Sequence, residues 1–255
     1  MSRRKNTKRK SSNRKRLRRK RLLRFLLFIL VAVLGYLFVF KTDVFHIKNI
    51  RVVGNEKLSY EDVVRASLCT KGENIFKISK KIGEESLNRL SYIKSSKIRR
   101  KLPDQIIIEI EERREKAIIP YIGSFIYIDQ EGYILDVKEN RKEGLPQIFG
   151  LDLKEPKIGE NLFDLLKRKD ISEFILFSDG SGLLSLMKYI NFSDNKNTIL
   201  ELNDGIKVAF GPLDNVKYKL SFLYKILDDI EKKDINVKQI LLNKGDNPIV
   251  VTDGK

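Results

Sequence analysis

The chain has 255 residues and a formal net charge of +17, with one cysteine, one histidine and no tryptophan. A lone Cys69 excludes an intrachain disulfide, so folding must rely on buried apolar surface, and the length suffices for one or two cores. The charge is concentrated: residues 1–24 hold fourteen Lys or Arg and no acid, which leaves 37 bases against 34 acids elsewhere. A nearly neutral body, with a basic tail that has no aromatic residue before Phe25 to stack on bases, argues against nucleic-acid binding.

Residues 1–21 form a low-complexity tail, expected to be disordered until it meets a membrane. Residues 22–40 are expected to be a transmembrane helix. No charge occurs from Phe25 to Phe40, and Leu22 and Leu23 extend the stretch past an Arg24 free to snorkel. At ~1.5 Å per residue the segment spans roughly 28 Å, close to the ~30 Å hydrocarbon core. The positive-inside rule keeps the basic tail in the cytoplasm and places the rest outside, a single-pass type II arrangement in the cell membrane. A cleaved signal peptide would carry a shorter basic region and a small-residue cleavage site, and Tyr36 to Lys41 offers none. The tail suits anionic headgroups, at ~1 kcal/mol per cation near the surface.

Beyond Lys41, Val44–Val53 reads as a strand, ended by a Gly54-Asn55 turn. Ser59–Leu68 reads as a helix with Ser59 as cap and Val63, Val64 and Leu68 inward. A second helix is expected over Ser79–Leu90, with Ile82, Leu87 and Leu90 inward. Tyr92–Lys101 and Gln105–Glu112 follow as strands about a Leu102-Pro103-Asp104 turn. The second is the clearest in the chain: Ile106, Ile108 and Ile110 face one way, Ile107, Glu109 and Glu111 the other. Strand, helix, helix, strand, strand is an α+β unit, with two helices over a three-stranded sheet.

From residue 115 the pattern changes. Strands are expected at Ala117–Ile119, Phe125–Ile128, Tyr133–Val137, Tyr189–Phe192, Thr198–Leu202, Ile206–Phe210, Lys238–Leu242 and Ile249–Val251, with Asp129–Gly132 and Asn203–Gly205 as hairpin turns. Asp214–Lys233 is a helix capped by Asp214, with Val216, Leu220, Leu223, Ile226, Leu227 and Ile230 as its apolar stripe. A further helix is expected within Leu183–Lys188. The whole reads as a mostly antiparallel β domain with packed helices.

No residue is assigned to catalysis, a cofactor or a metal. His46 sits just outside the span with no second histidine, no cysteine pair and no HExxH spacing. Ser178-Asp179-Gly180-Ser181-Gly182 lacks G-x-S-x-G spacing and reads as a loop. Glu109 and Glu111 fall on a wet sheet face, and Cys69 reads as a buried thiol. The chain offers anchoring and docking surfaces and is read as a non-enzyme. The alternative is a membrane-anchored cell-wall hydrolase or peptidase, which would have to use Glu109, Glu111 or Ser181.

Several segments in register resemble the FtsQ/DivIB family of bacterial cell-division proteins. Val52-Val53-Gly54-Asn55 resembles its V-x-G-N, and Gly72 to Phe76 its G-x-N-L/I-F. Ile93, Ser96, Ile98 and Arg100 precede Pro103 as in V-x-x-A-x-V-x-R-x-x-P. Pro103, Ile106, Ile108, Ile110, Glu112 and Arg113 then match P-x-x-I/L-x-I-x-V-x-E-R. Ile128 to Gly132, Leu145 to Gly150, and Asp204-Gly205 with Phe210-Gly211 and Lys219-Leu220 match later motifs. In three places the chain departs: Ser96 replaces the common Ala, Glu115 stands where E-R-x-P-V-A has its proline, and the final D-L-R strand reads Gln239 to Leu242.

The resemblance implies a single transmembrane helix, a βααββ POTRA domain over 44–114 carrying the motif residues Gly54, Asn55, Pro103, Glu112 and Arg113, a β domain over 115–252 and a short tail, 253–255. It implies a divisome scaffold at the septum that binds FtsL-like and FtsB/DivIC-like bitopic partners and, indirectly, septal peptidoglycan synthases. A strand at the chain end is a natural docking edge, so Ile240, Leu242, Ile249, Val250 and Val251 are the candidate partner-binding residues. A secretion component would carry several POTRA units before a long barrel, which this chain lacks.

Overall fold

A computed structural model describes residues 5–244 and 247–252, with side chains from Arg19 onward. The expected tail segment 253–255 lies outside the described residues. The chain divides into two compact units. One holds the residues to Val53 with Tyr60–Glu84 and Lys97–Glu109; the other holds Gly54–Ser59, Glu85–Ser96 and the residues from Ile110.

The first element, α1, runs over Lys5–Lys41. It starts well before residue 22, so the basic segment that was expected to be disordered is helical from Lys5. Lys and Arg are good helix formers, and no Gly or Pro interrupts the sequence before Gly35. Among the described residues one stretch is long and apolar enough to cross a membrane, Arg19–Lys41, which contains 18 residues with a mean hydropathy of 2.6. At its end the Asn74 amide donates to the Val39 carbonyl at 2.7 Å, and Phe45 lies between the rings of Phe38 and Phe76, at 6.0 and 5.3 Å.

The order β1 (Asn49–Val53), α2 (Tyr60–Ala66), α3 (Lys80–Leu87), β2 (Ile93–Lys101), β3 (Gln105–Glu112) follows the expected strand, helix, helix, strand, strand. The sheet order is β1-β3-β2, with β1 and β3 parallel and Ile50 opposite Ile106. Ile106 and Ile108 are fully buried and Ile110 nearly so, as alternation requires. Three details differ from expectation. Asp43–Phe45 is a 3-10 turn, so β1 begins at Asn49. Leu68 follows α2 with a positive φ of 57° and is exposed. Ile82 is exposed as well, because α3 approaches its neighbours through Gly83, where a Cβ would lie 2.5 Å from the Ser67 carbonyl oxygen and 2.6 Å from Ile98 Cδ1.

Among the described residues nine strands form a second sheet. They are β4 (Ala117–Tyr121), β5 (Ser124–Ile128), β6 (Ile134–Lys138), β7 (Gln147–Phe149), β8 (Met187–Asn191), β9 (Thr198–Leu202), β10 (Lys207–Gly211), β11 (Val237–Leu241) and β12 (Ile249–Thr252). The order is β12-β11-β10-β9-β8-β7-β4-β5-β6. Five pairings are antiparallel; β4–β7, β7–β8 and β10–β11 are parallel. β7 supplies two of the parallel pairings and escaped the sequence reading: three residues with only Ile148 fully buried are too short to alternate.

Helices α4 (Leu162–Leu165), α5 (Lys169–Gly180) and α6 (Val216–Lys233) are part of the same unit. Ile171, Phe174 and Ile175 of α5 enter the core with Val216, Leu220 and Leu223 of α6, while Ile226, Leu227 and Ile230 pack at its margin. Residues 178–180 are the last turn of α5, so the expected loop begins only at Ser181. The expected helix at 183–188 is a 3-10 turn, Leu183–Leu186, that leads into β8. Asp214 does not cap α6: Asn215 occupies the cap in left-handed conformation without a side-chain bond, and the Asp214 carboxylate pairs with Lys219.

Candidate docking edge and charged linker

β12 is the terminal strand of the nine-stranded sheet. It pairs on one side with β11, with Val250 opposite Ile240 and Ile249 opposite Leu241, and has no strand on the other among the described residues. Its apolar side chains are exposed: Ile249 by 47%, Val250 and Val251 by 39% each. Ile240 and Leu242, put forward with them from sequence, instead point into the core, Ile240 completely. They are corrected to residues that hold the edge in place. An unpaired apolar strand edge can accept another strand, satisfying its free peptide groups and covering its side chains in one step.

The motif residues do a different job. Gly54 takes a φ of +91°, and a Cβ there would fall 2.0 Å from the Ile110 carbonyl oxygen. Only glycine permits that approach. The Asn55 amide donates to the Leu58 carbonyl at 3.1 Å, and the Glu112 carboxylate accepts from the Lys57 and Leu58 peptide N–H groups at 2.7 and 2.9 Å. Pro103 lies exposed in the β2–β3 turn, after a cis peptide bond. Gly54, Asn55 and Glu112 thus pin the turn after β1 to the end of β3.

The next four residues, Arg113 to Lys116, are all charged, each with its own partner. Its guanidinium, 10% exposed, binds the fully buried Asp129 and reaches Glu131 at 2.8 Å, and it stacks 3.6 Å from the centre of the Tyr133 ring. Arg114 Nη2, exposed, donates to both carboxylate oxygens of Glu56 at 2.8 and 2.9 Å. Lys116 pairs with Asp179 at 2.6 Å. Between them Glu115, 4% exposed, gathers Lys57, the Tyr92 hydroxyl at 2.7 Å, Lys138 at 3.3 Å and Lys142 at 3.0 Å. Burial opposes its charge, but the bonds from Lys57, Tyr92 and Lys142 outweigh that and lower its pKa to about 2. Burial first, and then the Glu115 carboxylate, push the Tyr92 phenol up. The missing proline at position 115 is visible in the sequence; the four partners of Glu115 are not. The signal was present as an unbroken charged run, 111–116, after the strand.

The residues weighed for chemistry are engaged locally. His46 Nδ1 lies 3.1 Å from Asp43. Glu109 pairs with Arg99, and Glu111 with Ser95 and Lys94. The Ser181 hydroxyl donates to the Phe177 carbonyl at 2.9 Å, and Cys69 is buried. Among the described residues no group of three or more His, Cys, Asp or Glu is placed to hold a metal.

Two family models match the chain. Residues 45–113 match the POTRA domain of FtsQ type, and residues 117–242 match the C-terminal domain of cell division protein FtsQ/DivIB. The chain is 28% identical over 221 residues to cell division protein DivIB of Clostridium tetani, covering 83% of this chain and 81% of that protein. It is 25% identical to cell division protein FtsQ of Syntrophotalea carbinolica, over 76% and 69% of the two. Among solved structures, the major extracytoplasmic domain of the trans isomer of DivIB from Geobacillus stearothermophilus aligns with 16% identity over 48% of this chain and 97% of that one, at a TM-score of 0.31. The chain belongs to the FtsQ/DivIB family of bacterial cell-division proteins.

Proposed function

We propose that this division protein is a non-enzymatic scaffold. One span anchors it with the N-terminus in the cytoplasm, and two modules, 44–114 and 115–252, stand outside at the septum. In this reading the partners are FtsL-like and FtsB/DivIC-like bitopic proteins, which connect it to the septal peptidoglycan synthases. The observation that carries the reading is β12: a terminal strand with three exposed apolar residues and no strand on its outer side among the described residues. A partner strand laid along it gains main-chain hydrogen bonds for affinity and side-chain contacts at Ile249, Val250 and Val251 for specificity. Ile240 and Leu242 support that strand from beneath.

Deleting 245–255 removes β12 and leaves α1 untouched. The truncated protein should fractionate with membranes and lose pull-down of the FtsB/DivIC-like partner. Undiminished pull-down would discard the edge as the docking site. Protease shaving of intact cells tests the orientation, since the bulk of the chain should be digested from outside.

A further inference from the structure

Helix α6 carries a second surface, on side chains that β12 does not use. Lys217, Leu220, Ser221, Tyr224 and Lys225 recur at helical spacing along one side of it and, with Phe177 near the end of α5, line a cleft of about 690 Å³. Its interior is apolar: Leu220 is buried and Phe177 partly so, while Tyr224 stands 54% exposed at the side. The hydroxyls in the cleft already have acceptors, Ser221 on the Lys217 carbonyl at 2.8 Å and Ser181 on the Phe177 carbonyl. The Lys217 ammonium lies 4.3 Å from the centre of the Phe177 ring.

The charged side chains that line this cleft have one sign. No carboxylate lines it. Neighbouring acids are paired elsewhere: Asp179 with Lys116, Asp214 with Lys219, Asp228 with Lys232 and Asp229 with Lys233. Lys217 and Lys225 have no ion-pair partner among the described residues. Two exposed cations therefore flank an apolar trough with nothing to neutralise them.

The geometry points to a helix-docking groove that accepts an acidic amphipathic helix of a partner protein. Lys217 and Lys225 are eight residues apart, about 12 Å along the axis at ~1.5 Å per residue. Two carboxylates seven or eight residues apart on an incoming helix reach both ammonium groups. The apolar side chains between them then fall on Phe177, Leu220 and Tyr224, a helix laid into a groove by one face. The charges select the partner, because a basic helix meets like charge at both ends. The same argument disfavours a second copy of this chain docking through its own α6, which would oppose lysine to lysine.

The test uses the full chain in detergent micelles and a fluorescein-labelled synthetic helical peptide, with Leu and Phe on one face and Glu at two positions eight residues apart. A control peptide has Lys at those two positions. Fluorescence anisotropy should show the Glu peptide binding about tenfold or more tighter than the Lys peptide. The double substitution Lys217→Glu and Lys225→Glu, at two exposed sites, should reverse that order. Tyr224→Ser should weaken both peptides and keep the charge preference. Equal binding of the two peptides, or an unchanged affinity of the Glu peptide for the double variant, overturns the proposal. So does light scattering that shows a dimer dissociated by the double substitution, since the groove would then belong to a second copy.

Discussion

β6 and β12 are the two edge strands of one sheet, each backed by a core residue with no exposure, Ile134 in one and Ile240 behind the other. Their outer sides differ. At β6 both the N–H and the C=O of Ile134 are bonded by the passing segment, to the Glu160 carbonyl at 2.9 Å and from the Gly159 N–H at 2.8 Å, and the Ser91 hydroxyl donates to the Leu135 carbonyl. Asp136 and Lys138 pair at 3.3 Å, and Lys138 joins the Glu115 cluster. At β12 there is no charge and no covering segment among the described residues. Sheet edges are ordinarily blunted by charges or by a covering chain. One edge here has both and the other has neither, so the openness of β12 is a local property of its residues and not a general feature of this sheet.

Placing a charge on the open edge gives the largest expected effect. Val250→Lys with Val251→Lys should lower affinity for the strand-donating partner by about a hundredfold or more while the folded state persists, because both side chains are already exposed and lysine is a usual edge guard. Partner titration beside a melting curve separates the two. If Tm falls as steeply as binding, β12 is a core strand that only looks open. Ile240→Ala gives the opposite signature. It opens a cavity beneath the edge and should cost about 2–4 kcal/mol in urea unfolding.

The closed edge is tested at Glu115. Glu115→Gln keeps the shape of the side chain and removes the charge that three lysines share. Those lysines are themselves 40–61% exposed, which limits the penalty to about 2 kcal/mol. Amide exchange should quicken in β6 and stay unchanged in β12. The pH dependence has a definite sign. The folded-state pKa is depressed to about 2 from an ordinary 4.5, so the stabilisation is complete above the unfolded value and fades as pH falls from there toward 2. The stability gap between wild type and Glu115→Gln should be full at pH 6 and should narrow by pH 3.

How far the sequence discloses such things depends on how local the cause is. The buried face of β3 follows from three alternating isoleucines, and the βααββ order follows from periods of two and 3.6. Helix α5 shows the right spacing at Ile171, Phe174, Ile175 and Ser178, but Gly180 at its end drew attention to the turn instead of the helix. Ile82 and Leu68 fit a helical stripe yet face solvent, because close approach at Gly83 and a left-handed residue at position 68 turned the faces. The candidate edge was legible as a chain-end strand. Which of its residues point outward was not, since the β11–β12 register that puts Ile240 inside and Val250 opposite it is a long-range property. Glu115 is the extreme case: its partners lie 58, 23, 23 and 27 residues away.

The smallest effect comes from the residue beside it. Arg114 Nη2 reaches both carboxylate oxygens of Glu56, but the two side chains are 70% and 67% exposed. Water and salt screen a pair in that position, and ordering two long side chains offsets much of what remains, so Arg114→Ala should cost no more than about 0.5 kcal/mol. Exchange in β6 should match wild type. This variant asks whether the cover over β6 depends on one carboxylate or on the summed charge of the linker. Arg114→Ala and Glu115→Gln each change the linker by one unit of charge, in opposite directions. If both quicken exchange in β6, the edge is held by the charge of the whole segment. If only Glu115→Gln does, it is held by a buried acceptor whose four donors come from three separate parts of the chain.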